Sequence, residues 1–213
     1  MQIDRIPIEV TRRLRNGDSD ALAELFTMCQ DRLRQMLHFR MDRRLLRRLD
    51  VDDVLQDAFI DAEKRLPHFG TSGNDASPYV WLRMVTLQTL QDAVRRHLGT
   101  QARSISREQG VMPAGASNRT TLSSMAHILV GQLTSPSQAL QRAEAIEQVQ
   151  LALKRMSPID QEILALRHFE GLTNTETAEV LGVAAGTATL RYVRALKRLQ
   201  TIMSQHIETG RCG

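Results

Sequence analysis

Apolar residues recur at helical spacing over most of this chain. Leu22, Leu25, Phe26, Leu33, Met36 and Leu37 fall on one stripe, with Asp18 placed to cap the helix that carries them. Val51, Val54, Leu55, Ala58, Phe59, Ala62 and Leu66 form a second stripe, stopped by Pro67. A loop rich in Gly, Ser and Asn follows at residues 70–77. The helical period then resumes from Tyr79 to about Leu98, around Trp81, Leu82, Val85, Leu90 and Val94. Helices with such faces can bury one another, and the pattern predicts a first all-α domain over residues 8–100.

Residues 101–135 break the pattern. Ser, Thr, Gly and Gln are frequent there, Pro113 sits in the middle, and one short apolar segment (Met125–Leu133) interrupts the polar run. The composition predicts a flexible linker. Ser135, Pro136 and Gln138 then have the spacing of a capped helix start. A second helical domain is expected over residues 136–206. No internal repeat is present.

Within that second domain, Glu170–Leu199 reads as two helices joined by a glycine turn. Thr173 followed by Glu176 is a capping box, and Gly182 supplies the residue able to take positive φ at the helix end. In the next helix Ala188, Tyr192, Ala195 and Leu199 share one face, which is expected to pack inward. The opposite face presents Thr187, Leu190, Arg191, Arg194, Lys197 and Arg198. Such a face suits the DNA major groove: Arg191 reaches guanine edges or phosphate, Thr187 phosphate or a base, and Leu190 a thymine methyl. Arg194, Lys197 and Arg198 lie further along, where phosphate contact is expected. A protein-binding helical hairpin is the competing reading of the same pattern.

On Val51–Leu66 the face away from the core holds Asp53, Gln56, Asp57, Ile60 and Lys64. An aliphatic residue centred among acids has the character of a protein-docking surface, with Ile60 as anchor and Asp53 and Asp57 meeting partner cations. An ordinary solvated face with one stray isoleucine is the alternative. A divalent-metal site at Asp50, Asp52, Asp53 and Asp57 is disfavoured, because only Asp53 and Asp57 are one turn apart and no histidine lies nearby.

Composition adds to this picture. The 213 residues are 42% hydrophobic but only 4% aromatic, which favours helices packed on helices over sheet. The net charge of +4 decides little, but its distribution is uneven. Asp50–Glu63 holds six acids and no base, whereas Ala93–Arg107 holds four arginines and no acid. Leu181–Ile207 carries Arg191, Arg194, Lys197 and Arg198, again with no acid. These patches point to two kinds of partner, polyanionic and protein. Cys29 and Cys212 are isolated and imply neither a disulfide framework nor a thiolate metal site. The start MQIDRIPIEV lacks a secretory pattern and no apolar run reaches membrane length, so a soluble cytoplasmic protein without membrane insertion is expected. No P-loop, dinucleotide fingerprint, zinc-protease motif or nucleophile elbow is found, and the six histidines are scattered singly. No catalytic residue, metal ligand or cofactor is therefore assigned.

Together these segments resemble an extracytoplasmic-function sigma factor of bacterial RNA polymerase, over about residues 10–100 and 136–205. DVDDVLQDAFIDAEKRLPHF (Asp50–Phe69) is similar to the family's polymerase-docking helix, which implies docking roles for Asp53, Gln56, Asp57 and Ile60. WLRMVTLQTLQDAVRRH (Trp81–His97) is similar to its promoter-melting helix. By position this implies that Trp81, Gln88, Asp92, Arg95 and Arg96 serve the downstream promoter element. MSPIDQEILALRHFEGLTNTETAEVLGVAAGTATLRYVRALKRL (Met156–Leu199) is similar to the domain that reads the upstream element. That implies DNA-binding roles for Thr187, Thr189, Leu190, Arg191, Arg194, Lys197 and Arg198. The chain departs from family habit at Ala184, where a capping Ser is usual, at Thr189 and Leu190, often Lys and Ser, at Thr177 and at Gln88.

The resemblance implies a non-enzymatic factor that binds core RNA polymerase, directs it to specific promoter DNA and helps melt that DNA. It also leaves room for an anti-sigma factor or other inhibitor as a partner. The alternative is a free-standing helix-turn-helix regulator whose N-terminal domain senses a ligand or dimerises.

Overall fold

A computed structural model describes residues 6–41, 45–70, 77–108, 119–131 and 139–209, with backbone alone for some residues of the last three spans. Among the described residues there are nine α-helices and no strand. The chain divides into two compact units, residues 1–108 and 109–213.

The first unit holds α1 (Ile8–Arg15), α2 (Ser19–Arg40), α3 (Val51–Arg65) and α4 (Pro78–Glu108). The Asp18 carboxylate accepts from the Asp20 and Ala21 amides at 2.9 and 3.1 Å, capping α2 as its position predicts. Arg13 binds the same side chain at 2.7 Å, and that hydrogen bond holds the Asp18 carboxyl below the usual carboxylate range. Asp50 caps α3 by accepting from the Asp52 amide at 2.9 Å. Leu22, Leu25, Leu33, Met36 and Leu37 of α2 are buried, as are Val54, Leu55, Ala58 and Ala62 of α3. Tyr79, Leu82, Val85 and Leu90 of α4 complete this core. Phe26 and Phe59 sit at its margin, half-buried and edge-to-face with centroids 5.2 Å apart. Helix α4 continues to Glu108, past the domain end expected at residue 100. Gly99 does not stop it, because one glycine costs a helix only about 1 kcal/mol and Leu98, Gln101, Ala102 and Arg103 beside it are good helix formers.

The second unit holds α5 (Arg119–Gly131), α6 (Ala139–Lys154), α7 (Pro158–Leu164), α8 (Asn174–Leu181) and α9 (Ala185–Thr209). Part of the stretch expected as linker is thus a helix. Leu122, Met125, Ala126 and Val130 of α5 are buried, and α5 packs on α6. The apolar segment noted at Met125–Leu133 supplies part of this stripe, and the polar residues before it mask the helix start. The expected cap at Ser135–Gln138 lies outside the described residues. Further along, Ser157 caps α7, accepting from the Asp160 amide at 3.3 Å, with Pro158 in the first turn. After Leu164 the backbone loosens into a π-helical turn over Ala165–Phe169 before Gly171, at φ 67°, redirects the chain into α8. Helix α9 packs against α6, α7 and α8, so the core of this unit backs the helix whose outer face carries the basic residues.

Candidate functional site

In the second unit, local chemistry fixes the α8–α9 pair. Thr173 Oγ1 accepts from the Glu176 amide at 3.1 Å, and the Glu176 carboxylate accepts from the Thr173 amide at 2.8 Å, completing the expected capping box. Gly182 adopts φ 62°, ψ 37°, which lets the Val183 amide reach back to the Ala178 carbonyl at 2.9 Å. Thr177 is fully buried, yet its hydroxyl donates to the Thr173 carbonyl at 2.8 Å, so no polar group is stranded there. Two longer-range ties set the angle of α9. Asn174 Nδ2 donates to the Ala185 carbonyl at 2.9 Å. The Arg167 guanidinium lies 5.3 Å from the centre of the Tyr192 ring and donates to the Leu172 carbonyl at 2.6 Å.

These contacts place Ala188 and Ala195 in the core and leave Tyr192 and Leu199 half-buried, the inward face expected from their spacing. Thr187, Thr189, Leu190, Arg194 and Lys197 are exposed, and Arg191 is partly so. Thr189 spends its hydroxyl proton on the Ala185 carbonyl at 3.1 Å. Arg191, Arg194 and Lys197 have no ion-pair partner among the described residues. Arg198 differs from them: its Nη1 lies 2.6 Å from Asp160 Oδ2, and that carboxylate is only 12% exposed. Arg198 therefore ties α9 to α7 through a pair that sequence spacing did not suggest.

In the first unit, Asp53, Gln56 and Ile60 stand exposed on one face of α3, with Ile60 42% accessible. Asp57, on the same face, is half-exposed and pairs with Arg96 of α4 at 3.1 Å. Lys64 pairs with Asp61 at 3.2 Å, and Asp61 also accepts from the Thr89 hydroxyl at 3.1 Å. On α4, Trp81 is half-buried and tilted against Phe69, ring centres 4.9 Å apart. Gln88 accepts a hydrogen bond from Arg65. Asp92 and Arg95 are exposed and pair with each other at 2.7 Å. Arg83, which a charge count along the sequence would offer to a nucleic-acid strand, is only 4% exposed and belongs to the core. No cluster of three or more His, Cys, Asp or Glu side chains suited to a metal ion occurs among the described residues. No described helix is long and apolar enough to cross a membrane.

This geometry agrees with comparisons to known proteins. The family model described as Sigma-70 region 2 matches residues 26–99, and that described as Sigma-70, region 4 matches residues 146–199. The chain is 25% identical over 195 residues to the ECF RNA polymerase sigma factor BldN of Streptomyces coelicolor, covering 90% of this chain and 65% of that protein. It is 28% identical over 182 residues to the ECF RNA polymerase sigma factor SigM of Mycobacterium tuberculosis, covering 81% of this chain and 78% of that protein. The solved structure of CnrH in complex with the cytosolic domain of CnrY shares the fold, with a TM-score of 0.50 at 19% identity over 94% of this chain and 99% of that one. With region 2 and region 4 both present in one chain, the protein belongs to the extracytoplasmic-function sigma factors of bacterial RNA polymerase.

Proposed function

We propose that this chain is a promoter-specificity subunit: it binds core RNA polymerase, brings it to promoters carrying two sequence elements, and helps open the duplex. The observation that carries this reading is the pairing of two unlike surfaces in one chain. One is an acidic face on α3 centred on an exposed isoleucine, and the other a basic outer face on α9. Asp53, Gln56, Asp57 and Ile60 dock on polymerase, with Ile60 filling an apolar pocket and the carboxylates meeting cations at its rim. Trp81, Gln88, Asp92, Arg95 and Arg96 line one face of α4 and engage the downstream element. Unstacking DNA costs a few kcal/mol per step, recovered by stacking on aromatic rings and by cations on the strand's phosphates. Thr187, Thr189, Leu190, Arg191, Arg194 and Lys197 face the upstream element, while Arg198 acts through its pair with Asp160. The chain performs no bond-making chemistry of its own and acts in the cytoplasm, where polymerase meets the chromosome. An inhibitory protein is a further partner, on the pattern of CnrH, which was solved bound to the cytosolic domain of CnrY.

The region 2 match over residues 26–99 disfavours a free-standing regulator, whose first domain would instead sense a ligand or dimerise. Mixing purified chain with core polymerase separates the two. Co-elution as one complex that melts promoter duplex is expected. A chain that binds duplex DNA but never co-elutes with polymerase would restore the regulator.

A further inference from the structure

The outer face of α9 is not uniformly polar. Leu190 is 58% exposed and Val193 43% exposed, one turn apart on the same side of the helix. Leu190 lies at the middle of the outward face, opposite buried Ala188 and Ala195, with Arg194 and Lys197 one and two turns further on. It is also within the first two turns of α9, the part of a recognition helix that meets base edges. The hydroxyl of neighbouring Thr189 donates back to the Ala185 carbonyl of its own helix at 3.1 Å. The centre of this reading surface is therefore aliphatic, with cations beside it.

The major groove offers an aliphatic side chain one matching group, the C5 methyl of thymine. Elsewhere the base edges are amino groups, carbonyls and ring nitrogens. Pressing leucine against those would strip them of water without replacing their hydrogen bonds, so such pairs are rejected as well as thymine favoured. Arg191, Arg194 and Lys197, without ion-pair partners among the described residues, make the surroundings complementary to a polyanion and not to an apolar protein groove. Resting on the functional reading above, we propose that Leu190, supported by Val193, is a specificity determinant that selects thymine in the upstream element through its methyl group.

The test uses the full chain with core polymerase. Duplexes selected from a random-sequence library define the upstream element, and each thymine in it is then replaced singly by deoxyuridine, which removes only the methyl. At one thymine or more the replacement should weaken binding about fourfold, the effect of burying one methyl-sized group. Leu190→Ser should bind the thymine and deoxyuridine duplexes equally, and Val193→Ser should narrow the difference. Both positions are exposed, so both variants are expected to fold. A wild-type complex indifferent to every deoxyuridine overturns the proposal. So does a Leu190→Ser complex that keeps the thymine preference but loses polymerase affinity, which would make Leu190 a protein contact. Selection of no duplex at all by chain and polymerase together would overturn the functional reading itself, and this inference with it.

Discussion

The two units treat their charges differently. On α3 and α4 of the first unit, Asp57 is paired with Arg96, Asp92 with Arg95, and Gln88 is hydrogen-bonded to Arg65. On α9 of the second, Arg191, Arg194 and Lys197 have no ion-pair partner among the described residues, and only Arg198 is paired, with Asp160. The difference matters for energetics. A partner that reaches Asp57, or a strand that meets Gln88, Asp92, Arg95 and Arg96, must exchange existing contacts for new ones, whereas Ile60 and Asp53 stand exposed on α3. A partner of the second gains electrostatic attraction directly and releases counterions as it does so. The α3 face, centred on Ile60, is suited to a specific protein contact, and the α9 face to a polyanion whose affinity falls steeply with salt.

The largest expected effect is at Ile60: Ile60→Glu should weaken polymerase binding by about 2 kcal/mol or more, as for a central interface anchor, without altering the fold. Affinity measured by titration of labelled polymerase would return α3 to an ordinary solvated helix if it did not change. Next comes Arg191→Ala, expected to cost about 1–3 kcal/mol of promoter affinity if its guanidinium reads a base. Unchanged selectivity between matched and mismatched upstream elements would remove Arg191 from the reading set.

Arg198→Ala separates the paired cation from the free ones. It should lower folding stability by about 1–2 kcal/mol, since it leaves the nearly buried Asp160 carboxylate without its partner. The slope of DNA affinity against salt should stay unchanged. Arg194→Ala should do the reverse, sparing stability and reducing that slope by about 1. If both variants lower the slope equally, Arg198 contacts phosphate despite its ion pair. The smallest effect belongs to Asp57→Asn. The Asp57–Arg96 pair is roughly half-exposed, so its loss should change stability by less than about 1 kcal/mol in denaturant titrations. A larger loss would mean that this pair, and not apolar packing alone, holds α3 against α4.

How far the sequence could be read follows the reach of each interaction. The Thr173–Glu176 capping box, the left-handed Gly182 and the Asp18 cap involve neighbours in sequence, and their chemistry is written in short motifs. The inward face of α9 follows from helical period alone. What escaped lies at longer range or behind misleading composition. Asp160 and Arg198 are 38 residues apart, and nothing in their spacing signals a pair. Asn174, an ordinary first-turn residue by sequence, bonds across to Ala185. Helix α5 lies in a stretch rich in Ser, Thr and Gly, where Leu122, Met125, Ala126 and Val130 keep helical spacing beneath a polar composition. Arg83 carries a charge that composition alone places at the surface, yet the period of α4 turns it into the core. A charge tally cannot see that, whereas the positions of Leu82, Val85 and Leu90 on the same helix hint at it.

Under the proposed function, one chain joins a polymerase-docking surface to a duplex-reading one so that both act at a single start site. The most direct measurement is to sequence the 5′ ends of transcripts that core polymerase makes on genomic DNA with and without the chain. New start sites preceded by two shared sequence blocks at a fixed spacing are the predicted result. No new starts, or starts that share only one block, would contradict it.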